Sequence, residues 1–245
     1  MKFIGVIPAR YASTRFPGKP LAKLLGKPML QWVIEGTTKS KLLSEVIVAT
    51  DHDEISAVAK AAGVRVVMTA SDLPSGTDRI FAATKDLECD VIVNIQGDEP
   101  LVTGDLIDSL SALFIADPSL DMGTLAHPIS QAELDSKNSV KVVVNRQDEA
   151  LYFSRYPIPY SRASAPAVGD IEGCLKHIGM YAYKKSFLKK FCDQQPVVIE
   201  VGESLEQLRA LYLGAKIKIL RVQEAAQGVD TPEDLAKLEK IMRGK

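Results

Sequence analysis

The residues best suited to chemistry begin at Pro8-Ala9-Arg10-Tyr11-Ala12-Ser13-Thr14-Arg15-Phe16-Pro17-Gly18-Lys19-Pro20. Arg10, Arg15 and Lys19 bring positive charge to a run rich in small residues, whose backbone N–H groups can approach phosphate oxygens. A nucleotidyl transfer needs such charge on the α-phosphate and on the departing pyrophosphate. Any one of these cations could belong to a solvated basic turn, but that reading accounts poorly for three of them with two prolines directly after an apolar strand. The pattern GxxxxGK[ST] is absent, so this is not a Walker A loop. A second acid-bearing run is Asn94-Ile95-Gln96-Gly97-Asp98-Glu99-Pro100. Asp98 is a candidate Mg²⁺ ligand, because that ion is usually held by one or two carboxylates plus substrate phosphates. Glu99 reads as part of a helix-starting turn. A third run, Gly228-Val229-Asp230-Thr231-Pro232-Glu233-Asp234-Leu235, is a helix start, with Thr231 as cap and Pro232 at the first helical position. On local physics alone Asp230 is only a pre-cap residue.

The elements that must position these residues alternate in type. Lys2–Ile7, Glu45–Ala49, Arg65–Met68 and Val91–Gln96 read as strands. Pro28–Thr38, Glu54–Ala62 (capped by Asp53 and stopped by Gly63) and Ile80–Leu87 read as helices. Continuous apolar strands joined by helices imply a parallel sheet covered on both faces. The expected fold is therefore α/β, a three-layer Rossmann-like arrangement with a mostly parallel central sheet and a smaller mixed-sheet insertion. In such a sheet ligands bind beyond the carboxyl ends of the strands, where both the basic loop and Asp98 fall. In the second half, Lys141–Val144, Met180–Tyr183 and Lys216–Val222 look like strands. Leu205–Leu213 and Pro232–Met242 look like helices, and the proline-bearing stretch Tyr156–Val168 looks like a loop or arm. The 245 residues read as one domain, with a nucleotide half over about 1–125 and a sugar-binding and dimerisation half over about 126–225.

Composition narrows the partners. Lys+Arg (30) nearly cancels Asp+Glu (31), so no global field favours nucleic acid or an anionic membrane, and an anionic ligand must be held locally. Cys89, Cys174 and Cys192 show no CxxC spacing, which argues against a disulfide framework or a zinc site and suits a reducing compartment. No apolar run is long enough to span a membrane, so a soluble cytoplasmic protein is expected. GxGxxG is missing after the first strand, which disfavours a nicotinamide dehydrogenase.

Seven motifs, in order and across almost the whole chain, carry a family resemblance. They are PARYASTRFPGKPL, SGTDR at Ser75–Arg79, NIQGDEP, ALYFSR at Ala150–Arg155, KHIGMYAY at Lys176–Tyr183, LEQLR at Leu205–Arg209 and VDTPEDL at Val229–Leu235. With them the chain resembles the 3-deoxy-manno-octulosonate cytidylyltransferases, or CMP-Kdo synthetases. The resemblance implies that CTP and the acidic eight-carbon sugar Kdo give CMP-Kdo and pyrophosphate. It implies Arg10, Lys19 and Asp98 as catalytic residues, and Pro8, Ala9, Arg10, Ser13, Lys19, Ser75, Gly76 and Thr77 as nucleotide-binding. Asp98 and Asp230 would be the ligands of Mg²⁺, with a second Mg²⁺ on the triphosphate. Sugar contacts would be Arg79, Gln96, Arg155, His177, Tyr181 and Glu206. A cytoplasmic homodimer serving lipopolysaccharide assembly is implied as well.

Four of the sugar contacts have a plainer alternative. Arg155 could pair with a surface acid, His177 could be an ordinary partly buried histidine, Tyr181 could be core, and Glu206 could pair with Arg209 one turn on. The chain departs from the family pattern at Val201-Gly202-Glu203-Ser204, where a histidine and more hydrophobic bulk are usual, and over Ser161–Gly173. Glu203 could pair with the ammonium of an 8-amino analogue of Kdo, which leaves that sugar as an alternative substrate. Acylneuraminate cytidylyltransferases share the basic loop but fit QGDEP, FSR and EQLR less well. A nucleotide-binding regulator without activity is disfavoured by the presence of Lys19 and both carboxylates.

Overall fold

The structure, a computed structural model, describes residues 1–12, 16–160, 162, 173–223 and 228–244. The chain divides into two compact units, Met1–Ser111 with Ala226–Lys245, and Ala112–Ala225.

The first unit begins with strand β1 (Phe3–Ala9), longer than expected because the chain stays extended through Pro8. A 3₁₀ turn over Lys19–Leu21 leads into the hairpin β2 (Lys23–Leu24) and β3 (Lys27–Pro28). Leu25 and Gly26 both have positive φ, the condition a two-residue turn between twisted strands imposes. Then follow α1 (Met29–Thr37), β4 (Leu43–Thr50), α2 (Asp53–Ala61), β5 (Arg65–Met68), α3 (Gly76–Thr84) and β6 (Val91–Asn94). The strands pair in parallel in the order β6-β1-β4-β5. The crossovers run outward from β1 through β4 to β5, then return past β1 to β6. With right-handed connections, that reversal puts α3 on the face opposite α1 and α2. It also makes the carboxyl ends of β1 and β6 the switch point at which α/β sheets bind ligands.

Two local expectations need correction. Asp53 is the first residue of α2 rather than its cap, which is His52 in an extended conformation with no side-chain cap bond. Helix α3 begins at Gly76, not Ile80, because Ser75 caps it by accepting a hydrogen bond from the Asp78 N–H. Gly63 does end α2, at φ +77°.

The second unit is mixed. The division falls within α4 (Gly104–Ala116), after which come β7 (Met122–Pro128), α5 (Gln131–Asp135), β8 (Lys141–Val144), β9 (Ala150–Ser154), β10 (Cys174–Lys184), α6 (Lys185–Asp193), α7 (Val198–Glu203), α8 (Gln207–Tyr212) and β11 (Ile217–Arg221). Its strands lie in the order β11-β7-β10-β8-β9, the first pair parallel and the rest antiparallel. The expected helix Leu205–Leu213 is shorter. Ser204 takes a left-handed conformation, φ 52°, and separates α7 from α8. Most of the expected arm over Tyr156–Val168 lies outside the described residues. The chain closes with α9 (Pro232–Arg243), which belongs to the first unit. Among the described residues no helix is long and apolar enough to cross a membrane.

Candidate active site

In the first unit three separate segments converge on one ammonium group. The Lys19 Nζ donates to Asp98 Oδ2 at 2.6 Å and lies 3.5 Å from Asp230 Oδ1. Lys19 is held by the turn it starts, in which Gly18 takes φ +69° and lies against the Tyr11 ring. Asp98 follows β6. A Cβ on Gly97 would meet the Pro8 carbonyl oxygen at 3.1 Å, so a small residue there lets the turn approach β1 closely. Asp230 is brought in from the far end of the chain. The Val229 N–H donates to the Asp98 carbonyl at 2.9 Å, and Val229 is buried with Leu24, Met29 and Leu238. Just beyond it, Thr231 and Asp234 form a reciprocal capping box that starts α9.

The side chain of Lys19 is 14% exposed, against 31% for Asp98 and 50% for Asp230. The carboxylates are thus open to solvent while the cation between them is sheltered. Arg10 is exposed just beyond β1, whose last residues are Pro8 and Ala9. Ser13, like Arg15, lies outside the described residues. Glu99 lies in a turn ahead of α4, which starts at Gly104. Burial, with the neighbouring Asp98 charge, pushes its carboxyl up to about 7.

The segment Ser75, Gly76 and Thr77 forms the start of α3. Gly76 lies near Pro8, Thr77 is buried, and the Ser75 hydroxyl is engaged with Asp78 while its carbonyl accepts from the Arg79 N–H at 3.2 Å. Arg79 is not presented as a ligand contact. It is 3% exposed, and its guanidinium donates to Thr69 Oγ1 and to Asp51 Oδ2 at 3.2 Å. This ties α3 to the ends of β4 and β5. Gln96 donates to Asn94 Oδ1 at 3.3 Å. Sequence reasoning passed over Asp51 and His52, although an acid and a histidine directly after a buried strand are a readable signal. One oxygen of Asp51 and Nδ1 of His52 are buried without a partner, and His52 stacks on Tyr11 at 4.1 Å.

The other predicted sugar contacts belong to the second unit. His177, Tyr181 and Glu206 line one cavity of roughly 350 Å³. His177 and Tyr181 both lie on β10, four residues apart. At ~3.3 Å per residue a regular strand would separate them by ~13 Å. Between Ile178 and Tyr181, however, the pairing to β7 advances one residue instead of three. This bulge brings the rings to 5.4 Å.

Burial holds His177 neutral, its pKa lowered to about 3. Its Nε2 lies 2.9 Å from Thr124 Oγ1, which is also within reach of the Ile178 and Met180 carbonyls. Carbonyls only accept, so the single hydroxyl proton goes to one of them and His177 Nε2–H donates to the hydroxyl oxygen. Nδ1 is then the acceptor of the ring.

Arg155 does not meet a surface acid through its side chain. The guanidinium donates to the carbonyls of Glu203 (2.8 Å), Lys137 (3.3 Å) and Ser204 (3.3 Å). Glu203 in turn accepts from Ser154 Oγ at 2.6 Å and the Arg155 N–H at 2.8 Å, one partner per oxygen. It positions Arg155, which removes the reason for assigning it to a substrate ammonium. Lys141 was also missed. It is fully buried and donates to the carbonyls of Ser136, Ser139 and Arg155. Arg209 makes a buried two-point ion pair with Glu200 and lies over the Phe191 ring.

The donor set around Lys19 suits a divalent ion of the Mg²⁺ type. Two carboxylate oxygens face one point charge, and among the described residues no group of three or more His, Cys, Asp or Glu could hold a metal unaided. Substrate phosphates would complete such a site.

Comparison with known proteins agrees. The cytidylyltransferase family profile matches residues 4–217. The 3-deoxy-manno-octulosonate cytidylyltransferase of Bdellovibrio bacteriovorus is 70% identical over 242 residues, covering 99% of this chain and 98% of that protein. That of Geobacter metallireducens is 46% identical, covering 99% of each. A solved structure of CMP:2-keto-3-deoxy-manno-octonic acid synthetase complexed with CTP superposes with a TM-score of 0.94 at 41% identity, covering 100% of this chain and 99% of that one.

Proposed function

Because the chain belongs to the cytidylyltransferase family, and within it to the 3-deoxy-manno-octulosonate cytidylyltransferases, we propose that it joins CTP to Kdo, forming CMP-Kdo and pyrophosphate. The observation that carries this reading is the Lys19 ammonium between Asp98 and Asp230 at the ligand-binding end of the sheet. In the reaction the anomeric oxygen of the sugar forms a bond to the α-phosphorus and loses its proton. The bond from that phosphorus to the bridging oxygen of the β-phosphate breaks, and pyrophosphate leaves.

Lys19 and Arg10 place positive charge on the triphosphate, where negative charge accumulates on the leaving group. Lys19 also balances Asp98 and Asp230 before substrate arrives, so the two carboxylates stay close together without mutual repulsion. Asp98 and Asp230 hold Mg²⁺, which when bound polarises phosphate oxygens and acidifies a coordinated hydroxyl. The start of α3 recognises cytosine through backbone groups of Ser75 and Gly76. Arg79 acts at one remove, by fixing that helix to β4 and β5.

Arg155, His177, Tyr181 and Glu206 bind the sugar. The engagement of Glu203 with Ser154 and Arg155 favours Kdo over its 8-amino analogue. The protein works as a cytoplasmic homodimer and supplies CMP-Kdo for lipopolysaccharide assembly. The direct test is pyrophosphate release with CTP, Mg²⁺ and either sugar. Release with Kdo that disappears without CTP supports the reading; release with neither sugar from a folded, CTP-binding protein rejects it.

A further inference from the structure

We propose that His52 is a positioning residue for the nucleotide: its imidazole is the platform on which Tyr11 lies, and that stack holds Arg10 in place for the triphosphate. The proposal rests on the reading of the basic loop as the triphosphate cradle.

The register of the sheet makes the contact. Strand β1 pairs with β6 only as far as Val6, opposite Asn94, whereas its pairing with β4 continues to Ala9, opposite Thr50. Two residues further along each of these parallel strands stand Tyr11 and His52. Neighbouring strands lie ~4.8 Å apart. The two rings meet with centroids 4.1 Å apart and planes 16° from parallel. The stack thus continues the β1–β4 pairing past its last backbone pair. Arg10 stands between two fixed points, Ala9 on the sheet and Tyr11 on His52. Tyr11 also closes the loop, its carbonyl accepting from the Gly18 N–H at 3.0 Å, one residue before Lys19.

His52 is itself firmly held, but not through its side chain. Its N–H donates to Thr50 Oγ1 at 3.2 Å, and its carbonyl accepts from the Ser56 N–H at 3.0 Å as α2 begins. The imidazole caps no helix N–H, and its Nδ1 is buried without a hydrogen-bond partner. A histidine kept for capping or for a polar network would use that nitrogen. What the ring does is offer Tyr11 a flat face, worth roughly three- to tenfold in an equilibrium that depends on the contact.

The test compares His52→Leu, which fills the space without a flat face, with His52→Phe, which keeps the face and drops both nitrogens. Calorimetric titration with CTP and Mg²⁺ is run beside steady-state pyrophosphate release and thermal unfolding. His52→Leu should raise both the Kd and the KM for CTP about fivefold and leave the KM for Kdo within about twofold of wild type. His52→Phe should bind CTP within about twofold of wild type, because the stack survives. In an Arg10→Ala background His52→Leu should add nothing, since the residue acts through Arg10. Unchanged CTP binding in His52→Leu overturns the proposal. So does an equal loss in His52→Phe, which assigns the effect to a ring nitrogen, or a full further loss on top of Arg10→Ala. A rise in both KM values with a lowered unfolding temperature also overturns it, by marking a structural residue. A wild type that binds CTP but releases no pyrophosphate with Kdo rejects the functional reading alone, and the calorimetric comparison still decides the role of His52.

Discussion

The charged cluster around Lys19 in the first unit and the groups Lys141, Glu203 and Arg209 in the second hold their charges in opposite ways. In the first, Lys19 is shared between two half-exposed carboxylates, one at 2.6 Å and the other at 3.5 Å. Ion pairs open to solvent have small net stability, so a stronger anion or cation can exchange into them. In the second, charged groups are saturated by fixed partners: the buried Lys141 by three carbonyls, the half-buried Glu203 by Ser154 and the Arg155 N–H, the buried Arg209 by Glu200. Such groups cannot exchange partners cheaply, because a partner removed leaves an uncompensated buried charge. The difference fits what each unit is proposed to hold. A triphosphate with its metal displaces existing pairs, whereas a sugar is recognised by groups already locked in place.

The largest expected effect tests the exchangeable side. Asp98→Ala should lower pyrophosphate release by about a thousandfold or more, since electrostatic stabilisation of the transferring phosphate is lost. Its unfolding temperature should stay close to wild type; a collapse in stability would mean that the pair is structural after all. Lys141→Met is the counterpart on the saturated side. Leaving three buried carbonyls unmet should cost about 3 kcal/mol in urea unfolding, and a neutral result would undo the contrast between the units. A subtler probe is Glu203→Gln, which weakens the clamp on Arg155. Here the KM for Kdo should rise about tenfold with little change for CTP; equal changes for both substrates would deny Glu203 its positioning role.

The smallest effect is a pair of slopes with opposite sign. Glu99 is raised to about 7 from 4.5, so it weakens the folded state as pH rises from about 4.5 to 7. His177 is lowered to about 3 from 6.5, so its contribution is complete above about 6.5 and is lost as pH falls towards 3. Between about 4.5 and 6.5 the two oppose each other. Glu99→Gln should therefore steepen the rise of stability with pH and His177→Asn should reverse it, each by at most about 1.4 kcal/mol per pH unit. Thermal unfolding of metal-free protein across this range measures both; parallel profiles for the two variants would contradict the assignment.

The first unit was the more legible in sequence. Its strands are continuous apolar runs, and its functional segments follow β1 and β6 directly, so position along the chain predicts position in space. The start of α3 was misplaced because Gly76, Thr77 and Asp78 lack apolar periodicity; the Ser75 cap and the buried Arg79 define it instead. The second unit depends on pairings between distant residues. Strand β7 (Met122–Pro128) escaped notice altogether, although it carries Thr124 beneath His177 and aligns β10. The left-handed turn at Ser204 has no local sequence signal, since glycine is the residue that usually takes it. Arg155 was identified by motif, but the carbonyls that hold it come from Lys137, Glu203 and Ser204, which no spacing rule connects. The roles assigned to Arg79 and Gln96 came from resemblance, and the bonds these side chains make show how different two such assignments can be physically.

The bulge in β10 makes the wall of the cavity sensitive to the gain or loss of a single residue. Its slippage against β7 is two residues, an even number, so side chains on either side of it keep their alternation. Deleting one residue, Gly179 for example, would turn Tyr181, Ala182 and Tyr183 over together. Tyr181 would leave the cavity, and the buried Tyr183 would leave the core with it. Removing two residues would restore the alternation and leave the two rings two steps apart, about 6.6 Å along the strand, close to their present 5.4 Å. The segment therefore tolerates substitution better than the gain or loss of a single residue, and descendants of this chain should differ here by substitution or by an even number of residues.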